Sequence, residues 1–230
     1  MGRSHRVGTE RNAQEEGDKE VYETPPEALL ALMGVEALPA VIWEPACGSG
    51  QIVDVLRESG RIVIASDIRD TECEGMHVRD FLKCEQPPTG WPKGHPHAIV
   101  TNPPFSLMSS GEWVKHSLAL APDIYLLGRI NVLAGVRRTE MIEQSGLRRI
   151  YVFRERLPMM HKAGFLEAGG KASTSTIDFA WFCWRKGWKG LAAVKRISWR
   201  DPKPALPPSG VKPPKTYCPA TPDMFPTEVA

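Results

Sequence analysis

Apolar residues follow two rhythms along this chain. Short continuous runs at Ala40-Val41-Ile42-Trp43, Arg61 to Ser66, Ala98 to Thr101, Asp123 to Leu127, Arg148 to Phe153 and Thr176 to Trp184 predict buried β-strands. Gln51 to Ser59 instead places Ile52, Val55 and Leu56 on one helical face, and Gly60 closes that helix. Glu112 to Leu120 reads as a second helix, and Thr139 to Gln144 as a short one ended by Gly146. Continuous apolar strands alternating with helices predict an α/β fold, a mostly parallel central sheet with helices on both faces. The last two strands lack a helical crossover and are expected to pair as an antiparallel hairpin at the sheet edge. Leu157 to Ser175, rich in Gly, Met and Ala, is expected to be a long loop.

The two ends read differently. Residues 1–20 are polar and carry no apolar stretch, so a disordered lead-in is expected rather than a secretory signal. From Asp201 to Ala230 nine prolines remove backbone donors, which predicts an extended tail, draped on the domain or mobile. Residues 21–200 remain for one α/β domain. A chain of 230 residues supports one well-buried domain plus tails and is marginal for two.

Composition narrows the classes. Hydrophobic content of 42% and charged content of 24% are those of an ordinary globular protein. No apolar run approaches the roughly 20 residues that span a bilayer. Cys47, Cys73, Cys84, Cys183 and Cys218 form no CxxC pair, which argues against a disulfide framework and a structural zinc site. A reducing cytoplasm is the expected setting. His95-Pro96-His97 near Cys84 lacks a fourth ligand, so no metal is expected. The net charge is +2 but uneven: residues 1–150 hold 16 Lys and Arg against 21 Asp and Glu, while residues 151–230 hold 13 against 6. The basic last third points to a polyanionic partner or to solvated surface charge.

The first strand runs into Trp43-Glu44-Pro45-Ala46-Cys47-Gly48-Ser49-Gly50 and then a helix. Ligands of open α/β sheets bind at the carboxyl ends of strands. Gly48 and Gly50 let the backbone turn sharply and approach a ligand. A dinucleotide site would want a third glycine and a helix N-terminus aimed at pyrophosphate, but here Glu44 stands where it repels phosphate. A carboxylate suits a cationic ligand such as S-adenosylmethionine, which carries an ammonium and a sulfonium and no phosphate. Asp67, ending the second strand, is placed to accept from ribose hydroxyls. Asp80-Phe81 follows a polar connection, with a carboxylate for an adenine amino group and a ring to pack on the base.

Thr101-Asn102-Pro103-Pro104-Phe105-Ser106 follows the third strand and is the most specific feature. Two prolines stiffen the backbone. The Asn102 side-chain oxygen and the Pro103 carbonyl then converge on one amino group. An aryl amine is a poor nucleophile because its lone pair is delocalised into the ring. Two acceptors on its hydrogens draw it toward tetrahedral geometry, and a methyl group can be displaced directly onto it with no covalent enzyme intermediate and no metal. Phe105 can stack on the flipped base. Ser106, Ser109 and Ser110 read as helix caps rather than nucleophiles.

These residues resemble the class I SAM-dependent methyltransferases, with their Rossmann-like fold, and among them the amino-methylating DNA enzymes. Glu44-Pro45-Ala46-Cys47-Gly48-Ser49-Gly50 looks like their SAM-binding loop and Asn102-Pro103-Pro104-Phe105 like their catalytic tetrapeptide. Tyr22-Glu23-Thr24-Pro25-Pro26 resembles the segment that closes over the methionine part of the cofactor. The resemblance covers about residues 20–185. It implies that Asn102, Pro103, Pro104 and Phe105 carry catalysis. It also implies that Tyr22, Thr24, Pro25, Glu44, Pro45, Ala46, Cys47, Gly48, Gly50, Asp67, Ile68, Asp80, Phe81 and Asn102 surround S-adenosyl-L-methionine, with S-adenosyl-L-homocysteine as product. The Phe version of the motif favours adenine N6 in DNA; related loops act on RNA adenine, cytosine N4 and protein glutamine.

Sequence-specific DNA enzymes of this kind carry a separate recognition domain, and no segment here is large enough for one. Candidate substrate contacts are Arg154, Arg156, His161, Lys162 and Lys171 in the segment Arg154 to Ser175. Trp184 to Arg200 interleaves basic and aromatic residues, which can stack bases and neutralise phosphates or can pack a sheet edge. A non-catalytic module of the same fold is the rival reading, and intact glycine and Asn-Pro-Pro-Phe loops speak against it.

Overall fold

The computed structural model describes residues 22–88, 97–161 and 177–209. After a short strand β1 (Tyr22–Glu23), helix α1 (Pro26–Met33) starts with proline at its first position, where the missing N–H costs no bond. Strand β2 (Val41–Glu44) leads to α2 (Gln51–Glu58), then β3 (Ile62–Asp67) and the two-residue β4 (His77–Val78). Strand β5 (His97–Thr101) runs into α3 (Phe105–Ser110) and α4 (Glu112–Leu120). Strand β6 (Asp123–Arg129) is followed by 3₁₀ turns and a π-helical turn at Glu140–Gln144. Then come β7 (Leu147–Phe153), β8 (Met160–His161), β9 (Phe179–Arg185) and β10 (Ala193–Ile197).

Eight strands form one sheet in the order β10-β7-β9-β6-β5-β2-β3-β4, and β1 pairs with β8 in a separate ribbon. Every pair in the large sheet is parallel except β6/β9 and β7/β9. The expected antiparallel pairing of the last two predicted strands is therefore present. Strand β9 is inserted between β6 and β7, and β10 lies beyond β7 as an additional parallel edge. No local pattern marked β10, because four of its five residues are exposed.

Side chains alternate between two cores. Ile42, Val63, Ala98, Val100, Tyr125, Leu127, Trp181 and Cys183 meet α1 and α2 on one face. Trp43, Ile64, Ile99, Ile124, Leu126, Phe182 and Trp184 meet α4 on the other. Burial on both faces is why these strands read as continuous apolar runs. A bulge in β7 between Leu147 and Arg149 turns two consecutive arginines to one side. There Glu36 accepts from Arg148, Arg149 and Tyr151, each at 2.6 Å. Residues 201–209 run extended along the domain, with Leu206 N donating to Met33 O at 2.8 Å and Ser209 N to Leu38 O at 2.9 Å. No helix among the described residues is long and apolar enough to cross a membrane.

Candidate active site

The carboxyl ends of β2, β3, β5 and β6 share one edge of the sheet, and the candidate residues collect there. The glycine loop is held from below. Gly48 N donates to Asp67 Oδ2 at 3.0 Å, and Cys47 N to Ser66 O at 3.0 Å. Gly50, at φ 99°, begins α2, and a side chain there would stand 3.1 Å from Cys73 Sγ. Gly48, at φ 52°, has no atom within 4 Å of the position a side chain would take, so its backbone is open to a ligand. The Cys47 thiol shares a hydrogen bond with Cys73, which together with burial pushes its pKa up.

A narrow cleft joins three segments far apart in sequence. It is lined by Glu23 and Thr24, by Ala46 to Ser49 with Gln51 and Ile52, and by Asn102. Asn102 Nδ2 donates to Thr24 Oγ1 at 3.0 Å, which orients the amide. Glu23 reaches across the glycine loop: its Oε1 accepts from Ser49 Oγ at 3.0 Å and its Oε2 from Gln51 Nε2. Glu23, Ser49 and Gln51 were not singled out in the sequence, because the contacts that bring them together join residues 26 and 28 apart.

Other expected residues lie around the cleft rather than in its lining. Glu44 is fully buried, and its Oε1 accepts from Ala46 N at 3.0 Å, shaping the turn behind buried Pro45. Burial pushes the Glu44 carboxyl well above the ordinary value near 4.5, against the Thr101 hydroxyl and the Ala46 N–H, which favour the charged form. An acid raised on folding makes the folded chain take up a proton. Stability then declines as pH rises above about 4.5 toward the folded value. Glu44→Gln is expected to remove that decline, read as a flatter melting temperature between pH 5 and 8.

Asp67 is buried, and its Oδ1 accepts from Arg69 N at 3.0 Å, so both of its oxygens serve the loops. Ile68 beside it is exposed. Asp80 Oδ1 accepts from Leu82 N at 3.1 Å, and Phe81 is buried against Trp43, Trp113 and His116. Pro25 precedes α1, and Tyr22 sits on β1 opposite His161 of β8.

The Asn102-Pro103-Pro104-Phe105 segment passes directly into α3. Met108 N donates to Pro104 O at 3.0 Å, so the helix draws on Pro104 and leaves Pro103 ahead of it. Phe105 is only 5% exposed, stacked at 48° on Phe179 with the Arg129 guanidinium 4.6 Å from its ring centre. Ser106, Ser109 and Ser110 lie within α3 rather than at its cap, because the helix already begins at Phe105 behind Pro104; Ser110 Oγ donates to Leu107 O at 2.9 Å and accepts from Glu112 N at 3.3 Å.

Arg154 and Arg156 follow β7 on the same sheet edge as Asn102, Arg154 exposed and Arg156 paired with Asp178 at 3.3 Å. Lys162 and Lys171 lie outside the described residues, as does His95. The basic-aromatic segment needs correcting as one surface. Trp184 is fully buried, and Arg185 pairs with Asp123 at the start of β6, the sheet end opposite Asn102. Only Trp199 and Arg200, beyond β10, return to the cleft edge. Antiparallel β9 carries its end away from the site.

No protein-family model matches the sequence, and no curated protein matches it. Solved structures do. A protein described as an RNA methyltransferase from Pyrococcus horikoshii aligns at TM-score 0.52 and 14% identity, over 74% of this chain and 89% of that one. The chain has the class I methyltransferase fold. The SAM-dependent O-methyltransferase of Thermotoga maritima aligns at TM-score 0.46 and 15% identity, over 75% of this chain and 70% of that one. A modification subunit described for a type I restriction enzyme of Vibrio vulnificus aligns at 0.48 and 11% identity. That alignment takes in 79% of this chain and 48% of the subunit, so this chain spans about half its length.

Proposed function

We propose that this protein is a SAM-dependent methyltransferase that methylates the exocyclic N6 of adenine in DNA. The observation that carries the reading is the meeting of Asn102, at the head of Asn-Pro-Pro-Phe, with the glycine loop and Thr24 in one cleft. The cofactor is tested by the chemistry of that lining. It offers a carboxylate at Glu23, the amides and hydroxyl of Gly48 and Ser49, and, among the described residues, no Lys or Arg. Such a set suits a cationic amino acid and disfavours a phosphate. Glu23, Gly48, Ser49 and Gln51 would hold its methionine end, and the edge formed by Asp67, Ile68 and Asp80 its nucleoside.

S-adenosyl-L-methionine, when bound, supplies an electrophilic methyl group and departs as S-adenosyl-L-homocysteine. The chain's own residues prepare the acceptor. Thr24 takes the Asn102 amide hydrogen and thereby turns Oδ1 into the working atom. Asn102 Oδ1 and Pro103 O accept the two amine hydrogens, localising the nitrogen lone pair for in-line attack. The proton lost from nitrogen leaves to solvent after transfer.

The direct test offers the purified protein SAM with a labelled methyl group and unmethylated duplex DNA, then identifies nucleosides by mass. N6-methyl-deoxyadenosine supports the reading. Label in deoxycytidine keeps the mechanism and changes the base, and label only in RNA or a protein amide overturns the substrate. Glu23→Ala is expected to raise the Kd for SAM roughly tenfold or more, the loss of a charge-assisted hydrogen bond of about 1.5–3 kcal/mol. Isothermal titration checks it, and an unchanged Kd would assign Glu23 to loop closure alone.

A further inference from the structure

Arg129 is the feature of this edge that the methyl-transfer geometry leaves unexplained. It is the last residue of β6. A side chain at Gly128, one residue earlier, would collide with Met108 of α3, so the bare backbone lets α3 pack directly on β6. That close packing brings the Arg129 guanidinium over the ring of Phe105, 4.6 Å from its centre. The side chain is half-buried, and its Nε is buried with no hydrogen-bond partner. Among the described residues Arg129 makes no ion pair either, and its guanidinium rests on the Phe105 ring.

Other arginines in the fold are differently placed. Arg148 and Arg149 hold Glu36, Arg61 donates to Ser59 and to Leu206 O, and Arg138 donates to the carbonyls of Ser109, Asn131 and Ala134. Arg61 and Arg148 also keep a buried Nε without a partner, but their terminal guanidinium nitrogens, like those of Arg149 and Arg138, donate to acceptors inside the protein. A guanidinium stays charged at every physiological pH, and partial desolvation without an anion is costly. A ring face offsets part of that cost but satisfies no N–H donor. A charge kept in this condition beside the catalytic loop fits an anion brought by the substrate.

We propose that Arg129 is a phosphodiester-binding residue that clamps the backbone phosphate next to the target nucleotide. The inference rests on the DNA-methylation reading. A base extruded toward Asn102 carries its flanking phosphates to the sheet edge, where Arg129 stands beside Phe105. The planar fork of arginine matches a phosphate with two parallel N–H bonds. In leaving the Phe105 ring for the phosphate, the guanidinium uncovers that ring for the base.

The experiment is a salt titration of binding to a fluorescent DNA duplex by the full chain, as wild type, Arg129→Met and Arg129→Lys. Each phosphate contact contributes about 0.9 to the slope of log K against log salt. Arg129→Met is expected to lower the slope by about 0.9 and to raise Kd roughly tenfold near 0.1 M salt, while Arg129→Lys keeps the slope. The SAM Kd should be the same in all three, which also reports a folded cleft. Superimposed slopes for wild type and Arg129→Met would overturn the assignment even if affinity fell, because packing on Phe105 carries no salt dependence. A parallel rise in the SAM Kd would overturn it too, placing Arg129 on the cofactor. If wild type methylates DNA in either case, the adenine reading stands without this residue. A wild type that neither binds DNA in a salt-dependent way nor methylates it would refute the reading itself.

Discussion

Asn102→Ala is expected to lower kcat for methyl transfer by about two to three orders of magnitude while the SAM Kd moves only a few-fold. The size follows from removing one preorganised acceptor aimed at charge that develops in the transition state, a loss of roughly 10²–10³. The reason it falls on kcat is that the acceptor works on the target amine rather than on the cofactor. Thr24 refines the test. Its hydroxyl takes the Asn102 amide hydrogen at 3.0 Å, so the amide is held in one orientation. Asn102→Asp retains acceptors but places a charge against the same hydroxyl, and it should keep more activity than alanine. Thr24→Val should lower kcat by less than Asn102→Ala, since Asn102 remains but is free to rotate. Single-turnover rates with labelled SAM measure all three. Equal, measurable rates for wild type and Asn102→Ala would remove Asn102 from catalysis.

Glu36→Ala is expected to destabilise the fold by about 3–5 kcal/mol, the usual cost of breaking a buried ion pair by deleting one partner. Glu36 and Arg148 are 5% and 7% exposed on their side chains, and Arg149 and Tyr151 bond the same carboxylate. Deleting the acid leaves the Arg148 charge buried without its anion. For a domain of this size the melting temperature should fall by roughly 10 °C. The double change Glu36→Met with Arg148→Met should recover part of it, because no fully buried charge is then orphaned, although the Tyr151 hydroxyl and half-exposed Arg149 still lose their acceptor. pH adds a second reading. Burial alone raises the Glu36 carboxyl, but the Tyr151, Arg148 and Arg149 hydrogen bonds outweigh it and hold it below the ordinary value near 4.5. A lowered acid contributes stability that is present above about pH 4.5 and lost as pH falls through its folded value. The wild type should therefore lose melting temperature between about pH 4.5 and 3 more steeply than Glu36→Ala.

The elements that the sequence determined are those whose signal is local. Strands β2, β3, β5 and β6 were legible because burial on both faces writes three to five consecutive apolar or small residues into the chain. Helix α2 was legible because Gly50 and Gly60 punctuate a one-faced apolar pattern, and both adopt positive φ. The Gly48 turn and the Asn-Pro-Pro-Phe loop were legible for the same reason: glycine and proline fix backbone behaviour wherever they stand.

Tertiary structure alone decided what meets across the chain. Nothing local orders β9 between β6 and β7, so nothing local could tell that Arg185 ends far from Asn102 while Arg129 ends beside Phe105. The bond from Thr24 to Asn102 spans 78 residues and those from Glu23 to the glycine loop 26 and 28. Glu36 finds its arginines 112 and 113 residues on, through a bulge that no hydrophobic pattern announces. Side-chain pairing at such separations depends on strand order and register. Those are settled by packing of whole faces in the folded chain, and periodicity within a segment carries no record of them.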